Sequence, residues 1–247
     1  MIGLAASFRS ARIRRTSLPL LLSLVMPVLK AVVFTGFSIM AVAARAQSGF
    51  VALKPLKPHN VKVEETTYKG KRAVRVTDAM TAKGDLDRVA ILTDTSFRDG
   101  TIEIEAAGEP GPGAVEGARG FVGVAFRITS QASGFECFYV RPTNGRADDQ
   151  VRRNHSVQYT ASPDFPWFRL RKEYPDKYEA YVDLIPGEWT KLLIEVKRNR
   201  ARLFVNGTGQ PTLIVNDLKR GPGTAGNIGL WIGTGTVAHF ADLKVSQ

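Results

Sequence analysis

The residues of this 247-residue chain best placed by type and spacing to do chemistry lie in Arg119 to Arg141, RGFVGVAFRITSQASGFECFYVR. Two strand-like runs alternate there. In the first, Val122, Val124, Phe126 and Ile128 take one face, and Phe121, Gly123, Ala125 and Arg127 take the other. In the second, Phe138 and Val140 oppose Cys137, Tyr139 and Arg141. Successive side chains of a strand point to opposite faces, so one face is an apolar row and the other is bare until it reaches Arg127. The pattern predicts a shallow platform carrying Arg127, Tyr139 and Arg141. A planar guanidinium can donate two parallel hydrogen bonds to a carboxylate, which suits an anionic ligand. The competing reading is a solvated outer face with two ordinary arginines.

Further candidates follow along the chain. Asn144, Arg146, His155 and Gln158 are polar groups that could join the platform as ligand contacts. His155 could also act as a general base, because imidazole titrates near neutral pH. Asp148, Asp149 and Glu136 are the acids that could share proton transfer with it, and the sequence does not choose among them. Trp167 and Trp231 are candidate stacking rings. The alternation that sends Ile228, Leu230 and Ile232 inward puts Trp231 on the opposite face, beside Gly229. Trp189, at the head of KLLIEVK, reads as a plug of the core.

The elements that must position these residues begin after a leader. Residues 1–46 hold Arg9, Arg12, Arg14, Arg15, Lys30 and Arg45, no acid, and end in Ala44-Arg45-Ala46. A basic start, an apolar stretch and a small-residue site describe a secretory signal peptide, with Met26 as an alternative start. Export to the periplasm or outside the cell is the expectation, with no stable membrane insertion once the leader is cleaved. The formal charge of the whole chain is 34 − 23 = +11; without the six leader cations it is 28 − 23 = +5. That mild excess does not argue for nucleic acid. Cys137 is the single cysteine, so no intrachain disulfide can form and a packed core must hold the protein. The sequence does not fix an oligomeric state.

Over 47–247 the chain reads as strand, turn, strand. Candidate strands lie at 60–67, 72–78, 88–94, 99–107, 119–129, 134–141, 156–160, 189–197, 200–206, 211–217, 226–232 and 236–245. Turn signals such as Lys69-Gly70, Asp99-Gly100 and Asn206-Gly207 separate them. No sustained helical period appears. The expectation is a single all-β domain, an antiparallel two-sheet jelly-roll sandwich. The exception to the regular spacing is a long 142–187 loop insertion, whose Tyr, Phe and Trp content argues against disorder.

The order FRDGTIEIE, GVAFRIT, GFECFYVR, PGEWTKLLIEV, ARLFVNG, GNIGLWIG and AHFADLKV resembles the concanavalin A-like lectin/glucanase superfamily. It is most similar to the laminin-G-like and 3-keto-disaccharide hydrolase-like branches. The resemblance implies two curved sheets that meet a saccharide on the concave face. It leaves three readings: a carbohydrate-binding protein, a glycoside-cleaving enzyme acting on di- or oligosaccharides, and a non-catalytic adhesion or envelope module. Glu103 and Glu105 share a strand face as the carboxylates of retaining glycosidases do, but the E-x-D-x-E run of the glucanases is incomplete here. Asp242 sits in the closing strand where some relatives hold a structural calcium. Calcium needs about six to eight oxygens, and the sequence shows one. No cofactor is otherwise implied.

Overall fold

The computed structural model describes residues 55–79 and 87–247. The expected leader and its Met26 alternative lie outside the described residues. Fourteen strands are described, in chain order β1 Leu56–His59, β2 Val61–Tyr68, β3 Lys71–Asp78, β4 Arg88–Phe97, β5 Gly100–Pro110, β6 Val122–Ile128 and β7 Phe135–Val140. They continue with β8 Val157–Ser162, β9 Glu179–Ala180, β10 Thr190–Lys197, β11 Arg200–Val205, β12 Leu213–Val215, β13 Gly226–Ile232 and β14 Thr236–Ser246. Two short helices, α1 Gln150–Asn154 and α2 Trp167–Glu173, interrupt the 142–187 segment. No helix among the described residues is long and apolar enough to cross a membrane.

The strands form two antiparallel sheets of seven, the jelly-roll sandwich that the turn spacing predicts. The first runs β1-β4-β13-β6-β7-β8-β9 and the second β12-β11-β10-β5-β14-β3-β2. Alternation decides what each strand buries. β10 buries Leu192, Ile194 and Val196 and turns Lys191, Leu193 and Glu195 outward, against Leu203 and Val205 of β11. From the first sheet come Val122, Val124, Phe126, Phe138, Leu230 and Ile232, so both inner faces meet in one apolar core. On the outer face of the second sheet, Glu103 pairs with Lys191 and Lys244, and Glu105 with Lys71. These glutamates are ordinary members of an ion-paired surface.

Ile128 corrects the expected alternation. It packs with Val89, Ala125, Phe135 and Cys137 on the outer face of the first sheet, not in the core. The cause is a bulge. Between β6 and β13 the register steps from Ile128↔Asn227 to Ala125↔Gly229, three residues against two. Arg127 takes the extra place with φ 53° and exchanges faces with Ile128. Bulges insert one residue and re-aim the side chains beyond them.

Trp189 also departs from expectation. It lies half-buried against Tyr68, edge to face at 5.5 Å, with Lys71 over its ring, and its buried indole N–H has no hydrogen-bond partner. The 142–187 segment is tied down at several points. Leu170 of α2 enters the core, and Lys219 sits over the rings of Tyr174, Tyr178 and Phe165 at 4.6, 5.0 and 5.4 Å. Asp217 accepts from Lys177, Tyr178 and Lys219, and these donors hold its carboxyl below the usual range although its partial burial pushes the other way.

Candidate binding site

One cross-strand row organises the outer face of the first sheet. Val89, Trp231, Gly123, Tyr139, Gln158 and Glu179 are successive register partners from β4 to β9. Gly123 lets Tyr139 fold over it: a Cβ there would lie 2.5 Å from both Cα and Cβ of Tyr139. Tyr139 is thereby sunk to 2% exposure and stacks on Trp231, ring centroids 4.6 Å apart at 30°. Gly229 seats Ile128 in the same way, since a Cβ would come within 2.7 Å of its Cδ1. The small residues therefore accommodate neighbouring side chains, where the sequence suggested a bare, shallow platform.

Over this floor opens a cleft of about 690 Å³. Trp231, Phe121 and Tyr139 line it from the sheet, and the 142–187 segment contributes Pro163, Pro166, Trp167 and Phe168. Val115, Gly117 and Ala118, from the β5–β6 connection, also line it. Hydroxyls of Thr160, Ser162 and Thr234 supply polar contacts. Asp87 is the one carboxylate among the described lining residues, and it accepts a hydrogen bond from Ser162 Oγ at 2.5 Å. Trp167 and Phe168, 41% and 55% exposed, present large apolar rings to solvent beside the cleft, as interaction surfaces do.

Beside the cleft the row ends in a buried polar network. Arg141 is 4% exposed; its Nη1 donates to the His155 carbonyl at 2.8 Å and to Glu179 Oε1 at 3.2 Å. Its Nη2 donates to Tyr139 Oη and to Gln158 Oε1, both at 3.0 Å. Arg171 of α2 closes on the same carboxylate, Nε to Oε2 at 2.8 Å and Nη2 to Oε1 at 2.5 Å. Burial alone would raise the Glu179 carboxyl, but Arg171 and Arg141 outweigh it and hold the group below its ordinary range. Burial pushes the Tyr139 hydroxyl up to about 12, with Arg141 opposing. His155 Nε2 stands 3.6 Å from Glu179 Oε2, and desolvation lowers its basicity.

Several candidates are corrected by these positions. Arg127 does not share a surface with Tyr139, Arg141 and Trp231. It is fully buried, with Nε donating to Arg98 O at 3.0 Å, Nη1 to Gly221 O at 3.1 Å and Nη2 to Arg198 O at 2.6 Å. Glu136 is on the inner side, also fully buried. It accepts from the Tyr159 hydroxyl and from the Arg220 N–H at 2.8 Å, with Arg127 Nη1 4.0 Å away. Burial raises its carboxyl despite these donors, and it is not among the residues lining the cleft. Asp149 caps α1 by accepting the Arg152 N–H at 2.9 Å, while Asp148 is exposed. Neither pairs with His155; the acid beside that histidine is Glu179.

Asn144 and Gln158 are structural as well. Asn144 Nδ2 donates to the His155 carbonyl at 3.2 Å, and Gln158 Nε2 to the carbonyls of Tyr159 and Tyr178 at 2.8 and 3.2 Å. Arg146 is exposed and bidentate to Asp183 at 2.7 and 2.8 Å, outside the cleft lining. The donors around Asp242 do not fit calcium: Lys71 Nζ lies 2.8 Å from its Oδ2, and no metal-competent group of three His, Cys, Asp or Glu exists among the described residues. Of the expected ligand contacts, Tyr139, Trp167 and Trp231 line the cleft. Phe121, which the alternation places on the platform face, lines the cleft as well; Phe168 and Glu179 are the residues that sequence reasoning missed, and Glu179 belongs to a strand of two residues with no periodic signal.

No protein-family model matches the chain, and no curated protein does. Among solved structures it is similar to the carbohydrate binding module CBM66 from Bacillus subtilis, at 14% identity over 79% of this chain and 98% of that one, with a TM-score of 0.54. A Bacillus subtilis protein of unknown function with a galectin-like fold is 13% identical over 79% and 90% of the two chains, with a TM-score of 0.51. At such identities the likeness shows the fold alone, a two-sheet antiparallel β-sandwich.

Proposed function

We propose that this protein is an exported carbohydrate-binding module that holds a neutral saccharide in the cleft over Trp231. The observation that carries the reading is the pairing of an exposed and a partly buried aromatic ring, Trp167 and Trp231, with hydroxyl donors in a concave site of about 690 Å³. Sugar rings offer apolar C–H faces to aromatic rings and hydroxyls to polar neighbours, and ligand pockets of this kind span roughly 300–1,000 Å³. The likeness in fold to a carbohydrate binding module supports the same reading. Export rests on the acid-free leader and its Ala44-Arg45-Ala46 site.

Two features favour a neutral ligand over the anionic one that the arginine pattern suggested. Arg127 and Arg141 spend their donors on internal partners, and Arg146 and Arg171 are each bidentate to a carboxylate. Of the charged groups in the lining, Arg88 is 2% exposed and paired with Asp78, while Asp87 contributes a carboxylate that would oppose a uronate. Binding is also favoured over cleavage. Retaining glycosidases place two carboxylates roughly 5 Å apart about the scissile bond, whereas His155 and Glu179 are bound into a buried network beside the cleft. A glycan array carrying neutral and uronate-bearing oligosaccharides tests the proposal. Binding to neutral glycans without release of reducing ends supports it; binding confined to anionic glycans, or turnover of a hit, would overturn it.

A further inference from the structure

Floor and wall of the cleft both trace to one side chain. Glu179 ends the row that carries Trp231 and Tyr139, and its carboxylate, 3% exposed, is shared by two guanidiniums. Arg141 leads to the floor. Its guanidinium carbon lies 5.1 Å from the Tyr139 ring and 5.5 Å from that of Phe121, and Tyr139 in turn stacks on Trp231. Arg171 leads to the wall. It sits one helical turn after Trp167 on α2, so the two share a face, and its guanidinium carbon lies 4.8 Å from the Trp167 ring. α2 has seven residues and no side-chain cap, and Trp167 is half outside the protein; the fork from Arg171 to Glu179 is the polar tie between this wall and the sheet.

We propose that Glu179 is a positioning residue of the cleft, fixing Trp167 through Arg171 and Tyr139–Trp231 through Arg141. Its functional meaning rests on the saccharide-binding reading; its geometry does not. Removing the charge leaves two buried or half-buried cations with one neutral acceptor, and breaking such a pair is costly because the remaining charges lose their compensation. The guanidinium fork requires both carboxylate oxygens, which an amide cannot offer.

The test is ¹⁹F NMR of the whole protein labelled with 5-fluorotryptophan, without added saccharide. The chain has three tryptophans, Trp167, Trp189 and Trp231, so each gives one signal, assigned by single Trp→Phe variants. Glu179→Gln should shift and broaden the Trp167 signal most, move Trp231 less, and leave Trp189, which packs against the second sheet, in place. Glu179→Asp, which keeps the charge, should return Trp167 part of the way. A Trp167 signal unchanged by Glu179→Gln in a folded protein would overturn the proposal. If that variant does not fold, Glu179→Asp, whose shorter side chain keeps the charge but withdraws the carboxylate from the Arg171 fork, is read alone; a shifted Trp167 signal supports the proposal and an unmoved one overturns it. Because no sugar is present, a failure here is distinct from a failure to bind saccharide.

Discussion

Gly123→Ala should destabilise the protein by about 2 kcal/mol and disturb the Tyr139–Trp231 stack. The new methyl would lie 2.5 Å from Tyr139 Cα and Cβ, far inside the roughly 3.5–4.0 Å at which carbon atoms rest. The obstacle is the backbone of the neighbouring strand, so no rotamer change relieves it. Overpacking costs about 1–3 kcal/mol, and an unyielding neighbour places this case at the upper end. Replacing glycine in a strand returns roughly 0.5–1 kcal/mol through the unfolded chain, which leaves about 2 kcal/mol net. Urea titration at unchanged m-value measures the loss, and near-ultraviolet circular dichroism reads the aromatic stack. Gly209→Ala is the control, since nothing lies within 4 Å of a Cβ there. A Gly123→Ala protein as stable as that control would refute the reasoning that Gly123 exists to seat Tyr139.

Phe126→Ala, which empties a fully buried core position between Phe97 and Phe138, should cost about 3–5 kcal/mol in the same titration. Arg127→Met removes the donors of three backbone carbonyls and the cation beside buried Glu136, so a loss of at least about 3 kcal/mol is expected; a loss below about 1 kcal/mol would show that the bulge is not held by this side chain. Acid should weaken the fold in two stages. His155 and His239 are both made less basic by burial, so below about pH 6.5 the unfolded chain takes up protons that the folded one resists, and stability falls as pH falls. Glu179, Asp217 and Glu103 are held below their ordinary values, and their contribution is lost at lower pH as they protonate. His155→Gln combined with His239→Gln should flatten the first stage alone; an unchanged slope above pH 5 would contradict the assignment.

Strand alternation and turn chemistry made the sandwich legible before any coordinates. Twelve strands fall where period-two runs meet Gly and Asn turns, and Val122, Val124, Phe126 and Phe138 face the core as that period requires. The two unforeseen strands, Leu56–His59 and Glu179–Ala180, are short edge elements. One contains Pro58 and the other is too brief to show a period. Periodicity also fails at Arg127, because nothing local announces a residue at φ 53°, and the error carries Arg127 and Ile128 to the wrong faces together. At the site, ring types identified Trp167, Trp231 and Tyr139 as cleft residues, since a large ring opposite an apolar row must either stack or be covered. Charge misled. Guanidiniums on a strand face look available in sequence, but Glu179 and the Arg98, Arg198 and Gly221 carbonyls that absorb them arrive from distant segments.

The most direct test of saccharide binding at Trp231 is calorimetric titration of a neutral oligosaccharide selected on the array into the wild-type protein and Trp231→Ala. The ring is partly buried against Tyr139 on the outer face of the sheet, away from the inter-sheet core, so its loss should leave the sandwich folded, as far-ultraviolet circular dichroism would verify. Stacking on an aromatic ring is worth about 1–3 kcal/mol by analogy with base stacking, so affinity should fall by roughly five- to a hundredfold. A folded Trp231→Ala protein that binds the same saccharide with wild-type affinity would contradict the account.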